Sequence, residues 1–406
     1  MSKNKYLFPL IIMAALFFMI GFMTTMNNSM IDFLKEAFQL DKRPNGEVLK
    51  QLPNSFFFGA YALSIPVGLL IHRIGYKNGV ISGIGLVALG IFLCIPLVAI
   101  GYIPFLGGVA IFAIGIVFLQ VAANPYVNAL GPAKTAASRL TFTNAMNSVA
   151  TVIAPMFVSM LIISDGTDAA QMSPTQVQNP FLIIGVIAAV IFVIMFFLKL
   201  PHIRGDEHDD AETPKEYKSS AFKYTHVWLG SLAIFFYMGV EIGIPSFFAD
   251  YTRDLNLEFS SAQRTDMLKY YWGGLMVGRL LGIFILQKFT ARQILTLCSV
   301  ASMVLVAASL GLGESASTTA MWLYLGTGLF HSIMWPTIYN LALEDLGPLA
   351  GVASGVISTS VIGAALLTPL MGAVQAATGS VIFAITLLFV YYLYLIFFSV
   401  KGSKIR

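Results

Sequence analysis

Pro201–Thr225 reads PHIRGDEHDDAETPKEYKSSAFKYT, a stretch dense in charge and almost free of aliphatic side chains. Such a segment cannot bury enough apolar surface to offset the entropy of ordering itself, so it reads as a linker. The chain on either side has the opposite character. Apolar runs long enough to cross the roughly 30 Å hydrocarbon core of a bilayer recur from end to end. Six precede the linker: Tyr6–Met30, Leu52–Ile71, Val80–Ile100, Phe105–Leu130, Leu140–Ile163 and Pro180–Leu200. Six follow it: Val227–Asp250, Met267–Leu286, Ile294–Leu312, Ala320–Ala342, Val352–Ala373 and Val381–Val400. The pattern predicts an all-α membrane protein of 12 transmembrane helices, with six-helix halves at residues 1–200 and 226–406 and the linker at 201–225. Composition agrees. Of 406 residues 57% are hydrophobic and 11% charged, whereas a soluble domain carries about 25% charged residues.

The basic residues orient the bundle. With the N-terminus in the cytoplasm, sixteen of the 24 Lys and Arg fall on the cytoplasmic side and seven outside, with Arg279 left inside a span. That is the positive-inside bias, and it puts both termini and the linker in the cytoplasm. The net charge of +4 therefore reflects orientation, and no basic patch interleaved with aromatics points to nucleic acid. The first run is too long, and too closely followed by others, for a cleaved signal peptide. Cys94 and Cys298 fall within spans and read as small buried apolar residues. The acidic group Asp206, Glu207, Asp209 and Asp210 beside His208 has no metal-cage spacing and reads as solvated linker.

Polar side chains inside membrane helices are costly unless they face water or a partner, so they outline a path. Span one carries Asn27 and Asn28, with Asp32 a turn beyond. Span four carries Gln120, Asn124 and Asn128 at four-residue spacing, hence on one face. Span five carries Asn144 and Asn147, and the second half adds Tyr237, Tyr271, His331, Trp335 and Tyr339. Amides and aromatics together suit a sugar, with hydrogen bonds to hydroxyls and flat apolar faces for the ring's C–H side. Amides also join helices in many bundles, and that alternative stays open. Glu241 stands apart, the one charge between His226 and Ala249. A carboxylate there marks an ion or substrate path, with Arg279 one helix away as counter-charge.

The halves echo each other. Gln120, Pro125 and Gly131-Pro132 in the first are matched in order by His331, Pro336 and Gly347-Pro348 in the second. Parallel repeats of this kind are the arrangement expected of major facilitator transporters, with substrate held at midplane. The loop Gly68-Leu-Leu-Ile-His72-Arg73-Ile-Gly75-Tyr-Lys77 resembles that superfamily's GxxxDRxGRK cytoplasmic loop, with His72 in place of the Asp. More specifically, LQVAANPYVNALGP (Leu119–Pro132) and SRLTFTNAMNS (Ser138–Ser148) resemble the fucose permease family, the fucose–galactose–glucose:proton symporters. FFYMGVEIGIPSFFADY (Phe235–Tyr251), YYWGGLMVGRLLG (Tyr270–Gly282) and GLFHSIMWPTIYNLALEDLG (Gly328–Gly347) resemble it in the second half, so the likeness covers nearly the whole chain.

The resemblance implies a major facilitator fold and import of a hexose such as glucose, galactose, mannose or fucose. It also implies carboxylates in spans one and four. Here those positions are Asn28 and Gln120, and an amide cannot titrate. Glu241, where glucose/galactose-type members also carry Glu, is left as the coupling group, with Asp32 and Arg279 as secondary candidates. Sugar contacts are expected from Asn27, Asn28, Gln120, Asn124, Asn144, Asn147, Tyr271 and Trp335. The expected coupling ion is Na+ or H+, with any Na+ near Glu241 and no other cofactor. The protein is expected to be a monomer of a bacterial cytoplasmic (inner) membrane. An uncoupled facilitator and an exporter of another small molecule are the rival readings. An enzyme is not indicated, because no metal pair, nucleophile–base constellation or phosphate loop is present.

Overall fold

A computed structural model describes residues 7–129, 136–163, 172–198, 220–286, 288–344, 346 and 350–405. The side chains of some helix residues, His72 and Asn124 among them, lie outside that description, as does most of the linker. Among the described residues every regular element is helical.

Span one is Leu7–Ser29. Span two runs in pieces, Leu52–Gly59, Ala60–Leu63 and Ser64–Ile74, and ends at Gly75, whose φ of 83° few other residues adopt. Spans three to six are Tyr76–Ile100, Tyr102–Ala129, Ala136–Val158 (continued by Ser159–Ile163) and Gln178–Phe197. Spans seven to nine are Thr225–Asp254, Ser261–Ile285 and Ala291–Leu312. Span ten is two helices, Ser317–His331 and Met334–Leu343. Span eleven is Ala350–Thr359 continued by Gly363–Thr378, and span twelve is Val381–Val400.

Among the described residues, ten helical stretches are long and apolar enough to cross a membrane. One of them, Ala291–Leu343, contains both spans nine and ten. Span eight makes the twelfth crossing, with Lys269 and Arg279 lowering its apolarity. It begins well before the Met267 that apolarity predicts, because Ser260 and Gln263 form a capping box. The Ser260 hydroxyl accepts from the Gln263 N–H at 3.1 Å, and the Gln263 side chain accepts from the Ser260 N–H at 2.9 Å. Span ten breaks after His331, where Pro336 withholds a backbone donor. Span four, its counterpart in the first half, runs unbroken through Pro125.

Within the first half, span three lies along spans four and six, and span one along span five. In the second, span seven packs on spans eleven and twelve, and span ten on spans eight and nine. Close approach needs glycine at one seam in particular. A Cβ on Gly115 would stand 2.6 Å from the Gly83 carbonyl oxygen, so spans three and four touch backbone to backbone there. The halves meet where span five runs along span eight, span two along span eleven, and span one against span seven. Leu69, Met160, Phe197 and Phe284 point outward as lipid-facing surface, while Cys94 and Cys298 are buried free thiols.

Candidate functional site

Three polar layers lie along the seam between the halves. The first is centred on span seven. Glu241 is 9% exposed, and its carboxylate interacts with Arg279 of span eight and the hydroxyl of Tyr237, one turn earlier on its own helix. Arg279 in turn donates to Ser148 Oγ of span five at 3.0 Å, and Ser148 donates to the Asn144 carbonyl at 3.3 Å. The guanidinium, which the carboxylate feels electrostatically without an ion pair to it, is thus bonded to the amide-bearing helix of the other half.

Behind Glu241 lies a buried tyrosine–histidine cluster. Tyr271 Oη stands 2.9 Å from the Glu241 carbonyl oxygen and 2.8 Å from His331 Nδ1. Tyr392 Oη is 2.8 Å from His331 Nε2, and Tyr237 donates to the His331 carbonyl at 3.0 Å. That carbonyl is available because span ten breaks at His331. Tyr237 has a single proton and faces two acceptors, the Glu241 carboxylate and the His331 carbonyl. An ionised Glu241 competes for that proton, and a protonated one releases it.

A second layer closes the seam one turn further along span seven. Asn28 Nδ2 donates to Ser246 Oγ at 2.7 Å, Asn54 Nδ2 to the same oxygen at 3.0 Å, and Asn27 Nδ2 to Asn54 Oδ1 at 3.4 Å. Span eleven joins through Thr368, 3.5 Å from Asn54, and through the Ala365 carbonyl, which accepts from Ser55 at 2.8 Å.

The third layer caps the end of the bundle opposite Leu7 and Ile405. Asp250 binds Lys35 at 3.2 Å, Arg253 at 3.0 Å and Gln375 at 3.1 Å, and also pairs with Lys50. Asp32 binds Arg253 at 2.7 Å, Ser261 at 2.8 Å and Arg264 at 3.5 Å. Glu36 shares Arg253 at 2.8 Å. Burial pushes the Asp32 carboxyl up, but Arg253, Arg264 and the Ser261 hydroxyl together draw it below the usual carboxylate range. Burial and the neighbouring Asp32 charge raise Glu36, against the pull of the same two arginines. Among the described residues, every ion pair that joins the two halves lies in this layer.

The residues singled out in the sequence thus divide by place. Glu241, Arg279 and Tyr271 come together, with Asn144 on the helix that Arg279 reaches. Asn147 donates to the Phe17 carbonyl of span one at 3.1 Å, and Gln120 donates to Tyr61 of span two at 2.8 Å. Trp335 stacks on Tyr339 with centroids 4.9 Å apart and planes at 13°. Asn27 and Asn28 belong to the second layer and Asp32 to the third. The side chain of Asn124 lies outside the described residues. Asn54, Tyr61, Thr368 and Tyr392 were not anticipated. Asn54 was hidden by its place beside Pro53 at the start of span two, and Tyr392 by a run of aromatic residues that reads as packing.

The family model described as Major Facilitator Superfamily matches residues 13–369. A "Glucose/galactose transporter" of Brucella abortus biovar 1 (strain 9-941) is 36% identical over 407 residues, covering 99% of this chain and 96% of that one. The "L-fucose-proton symporter" of Escherichia coli K12 is 29% identical over 404 residues, covering 94% and 90%. A crystal structure of the E. coli fucose:proton symporter superposes with a TM-score of 0.70 at 25% identity, covering 98% of each chain.

Proposed function

The chain belongs to the Major Facilitator Superfamily, and within it we propose a cation-coupled importer of a monosaccharide such as glucose or galactose, working by alternating access. The observation that carries this reading is the line Glu241–Arg279–Ser148. Glu241 feels the charge of Arg279, and Arg279 is bonded to the amide-bearing span five of the other half, so a ligand at midplane would meet both. The names of the relatives support a sugar, and Gln120, Asn144 and Asn147 offer the donors and acceptors that sugar hydroxyls need. Trp335, parallel to Tyr339, offers a flat apolar face.

Glu241 is the coupling group in this reading. Among the described residues no set of three or more His, Cys, Asp or Glu gathers as a metal site. A lone carboxylate already facing a guanidinium and a phenol suits a proton better than Na+, in line with the proton symport named for the fucose relative. Asn28 and Gln120 hold the positions where the fucose-permease resemblance expects carboxylates, so proton exchange falls to Glu241.

The positive-inside bias supports an orientation with both termini in the cytoplasm of a bacterial inner membrane. The Asp32–Asp250 layer is then the outer gate, closed, and the state described faces inward. The protein works as a monomer, its path lying between the halves of one chain. Purified protein in liposomes tests the proposal. Labelled glucose and galactose should accumulate under an imposed pH gradient, and less or not at all under a Na+ gradient. Glu241→Gln should retain sugar exchange while losing accumulation. Wild-type accumulation by Glu241→Gln would remove Glu241 from coupling.

A further inference from the structure

Pro245 lies within span seven, and the residue four before it is Glu241. A proline has no N–H, so the Glu241 carbonyl has no helical donor, and a buried carbonyl left bare is costly. Tyr271 of span eight supplies the missing proton at 2.9 Å. This fixes the direction of every bond behind it. A carbonyl only accepts, so Tyr271 spends its one proton there, and its oxygen must accept from His331 Nδ1–H at 2.8 Å. A neutral imidazole protonated at Nδ1 has its lone pair at Nε2, which accepts from Tyr392 at 2.8 Å. Tyr237, Tyr271, His331 and Tyr392 are all fully buried.

We propose that this Tyr392–His331–Tyr271 chain is the positioning element of the coupling carboxylate, with His331 as its central residue. It ties spans seven, eight, ten and twelve together at the turn that carries Glu241, which is the turn Pro245 weakens. Tyr271 shares span eight with Arg279, so holding the Glu241 backbone to Tyr271 also fixes how far the carboxylate stands from the guanidinium whose charge it feels. His331 touches neither sugar nor cation. It acts through Tyr271, and the inference rests on the reading of Glu241 as the coupling group.

Two measurements test it. The first is a double-mutant cycle in melting temperature on the full chain in detergent. Tyr271→Phe should lower the melting temperature in the wild-type background and lower it less in Pro245→Ala, where the restored N–H serves the Glu241 carbonyl. An equal fall in both backgrounds would overturn the tie. The second is the external proton concentration giving half-maximal glucose uptake in liposomes. Both Tyr271→Phe and His331→Phe should shift it about tenfold, the lower end of the loss seen when a residue that orients a metal's ligand is removed. His331→Gln, which can donate and accept, should recover most of the shift. A half-point unchanged in both Phe variants, with accumulation intact, overturns the positioning role alone. Undiminished accumulation in Glu241→Gln overturns the coupling reading and the positioning role with it, leaving the melting cycle to judge the tie.

Discussion

Where residues 32–50 meet 250–264, carboxylates and cations of the two halves interlock, each partner having several counter-charges within reach. Around Glu241 the pattern reverses, with one carboxylate, one guanidinium and a shell of neutral hydroxyls, amides and an imidazole. The first arrangement can be taken apart and remade, because Asp250, Asp32 and Glu36 each hold more than one cation across the seam. The second has no spare charge among the described residues, so a change of protonation at Glu241 is not absorbed by them. A gate wants redundancy and a coupling site wants a single titrating group. In the proposed reading the far end of span seven, at Asp250, carries the gate and its middle, at Glu241, the coupling site.

The comparison breaks most directly at Asp250. It pairs with Lys35, Lys50 and Arg253, and Lys50 is only 1% exposed. Removing one partner of a buried charge cluster typically costs about 3–5 kcal/mol, because the remaining charges are left desolvated. In a two-state bundle that cost falls on the closed gate alone, so Asp250→Ala should shift the population toward the state open at that end. A cysteine replacing Ser29, 2% exposed, in a variant lacking Cys94 and Cys298, reads this out. An impermeant thiol reagent should label it in Asp250→Ala cells and not in the parent. Equal labelling would show that the ion pairs do not hold the gate.

Asn54 sharpens the comparison from the neutral side. It is fully buried and bonds to Ser246, Asn27 and Gln51. Asn54→Ala takes the acceptor from Asn27 Nδ2 and the donor from Gln51 Oε1, at an expected cost of about 1–3 kcal/mol. It should lower the melting temperature while leaving the pH dependence of transport where it was. Thiol labelling at Ser29 greater than that caused by Asp250→Ala would move the gate from the charged layer to the amide layer.

How much of this was legible in the sequence follows from what each feature costs. The twelve spans and the two halves were readable because hydrocarbon demands long apolar helices, and the Pro201–Thr225 break is unmistakable against them. Glu241 and Arg279 were readable because charge in a span is expensive. The third layer was not, since Lys35, Lys50, Asp250 and Arg253 sit near span ends, where charge is ordinary and the partners across the seam lie two hundred residues or more away. Tyr392 was invisible for another reason. A tyrosine in FVYYLYLIFF (Phe389–Phe398) looks like any lipid-facing aromatic until His331 is placed against it.

The finest test lies within the charged layer itself, between Asp32 and Glu36. Both bind Arg253, but Glu36 Oε2 is buried without a hydrogen-bond partner among the described residues, whereas both Asp32 oxygens are engaged. Asp32, held below the usual range by Arg253, Arg264 and Ser261 against its burial, contributes stability that is complete above the ordinary carboxylate range. That contribution is lost as pH falls through its lowered value. Glu36, raised by burial and by Asp32, has the opposite sign. Its ionised form costs the closed gate something at neutral pH, and the cost is relieved as pH falls through its raised value. Acidification from neutrality should therefore tighten the gate first and loosen it only at lower pH. The scale is about 1 kcal/mol or less, as for a partly exposed pair, since the Arg253 side chain is 32% exposed. Melting temperature measured in steps from pH 7.5 downward should rise slightly in the wild type. Glu36→Gln, carrying no charge to lose, should stay flat over the same window, and Asp32→Asn should lose stability throughout it. A Glu36→Gln profile with the wild-type rise would place the titrating group elsewhere, and the gate would then be pH-blind at this pair.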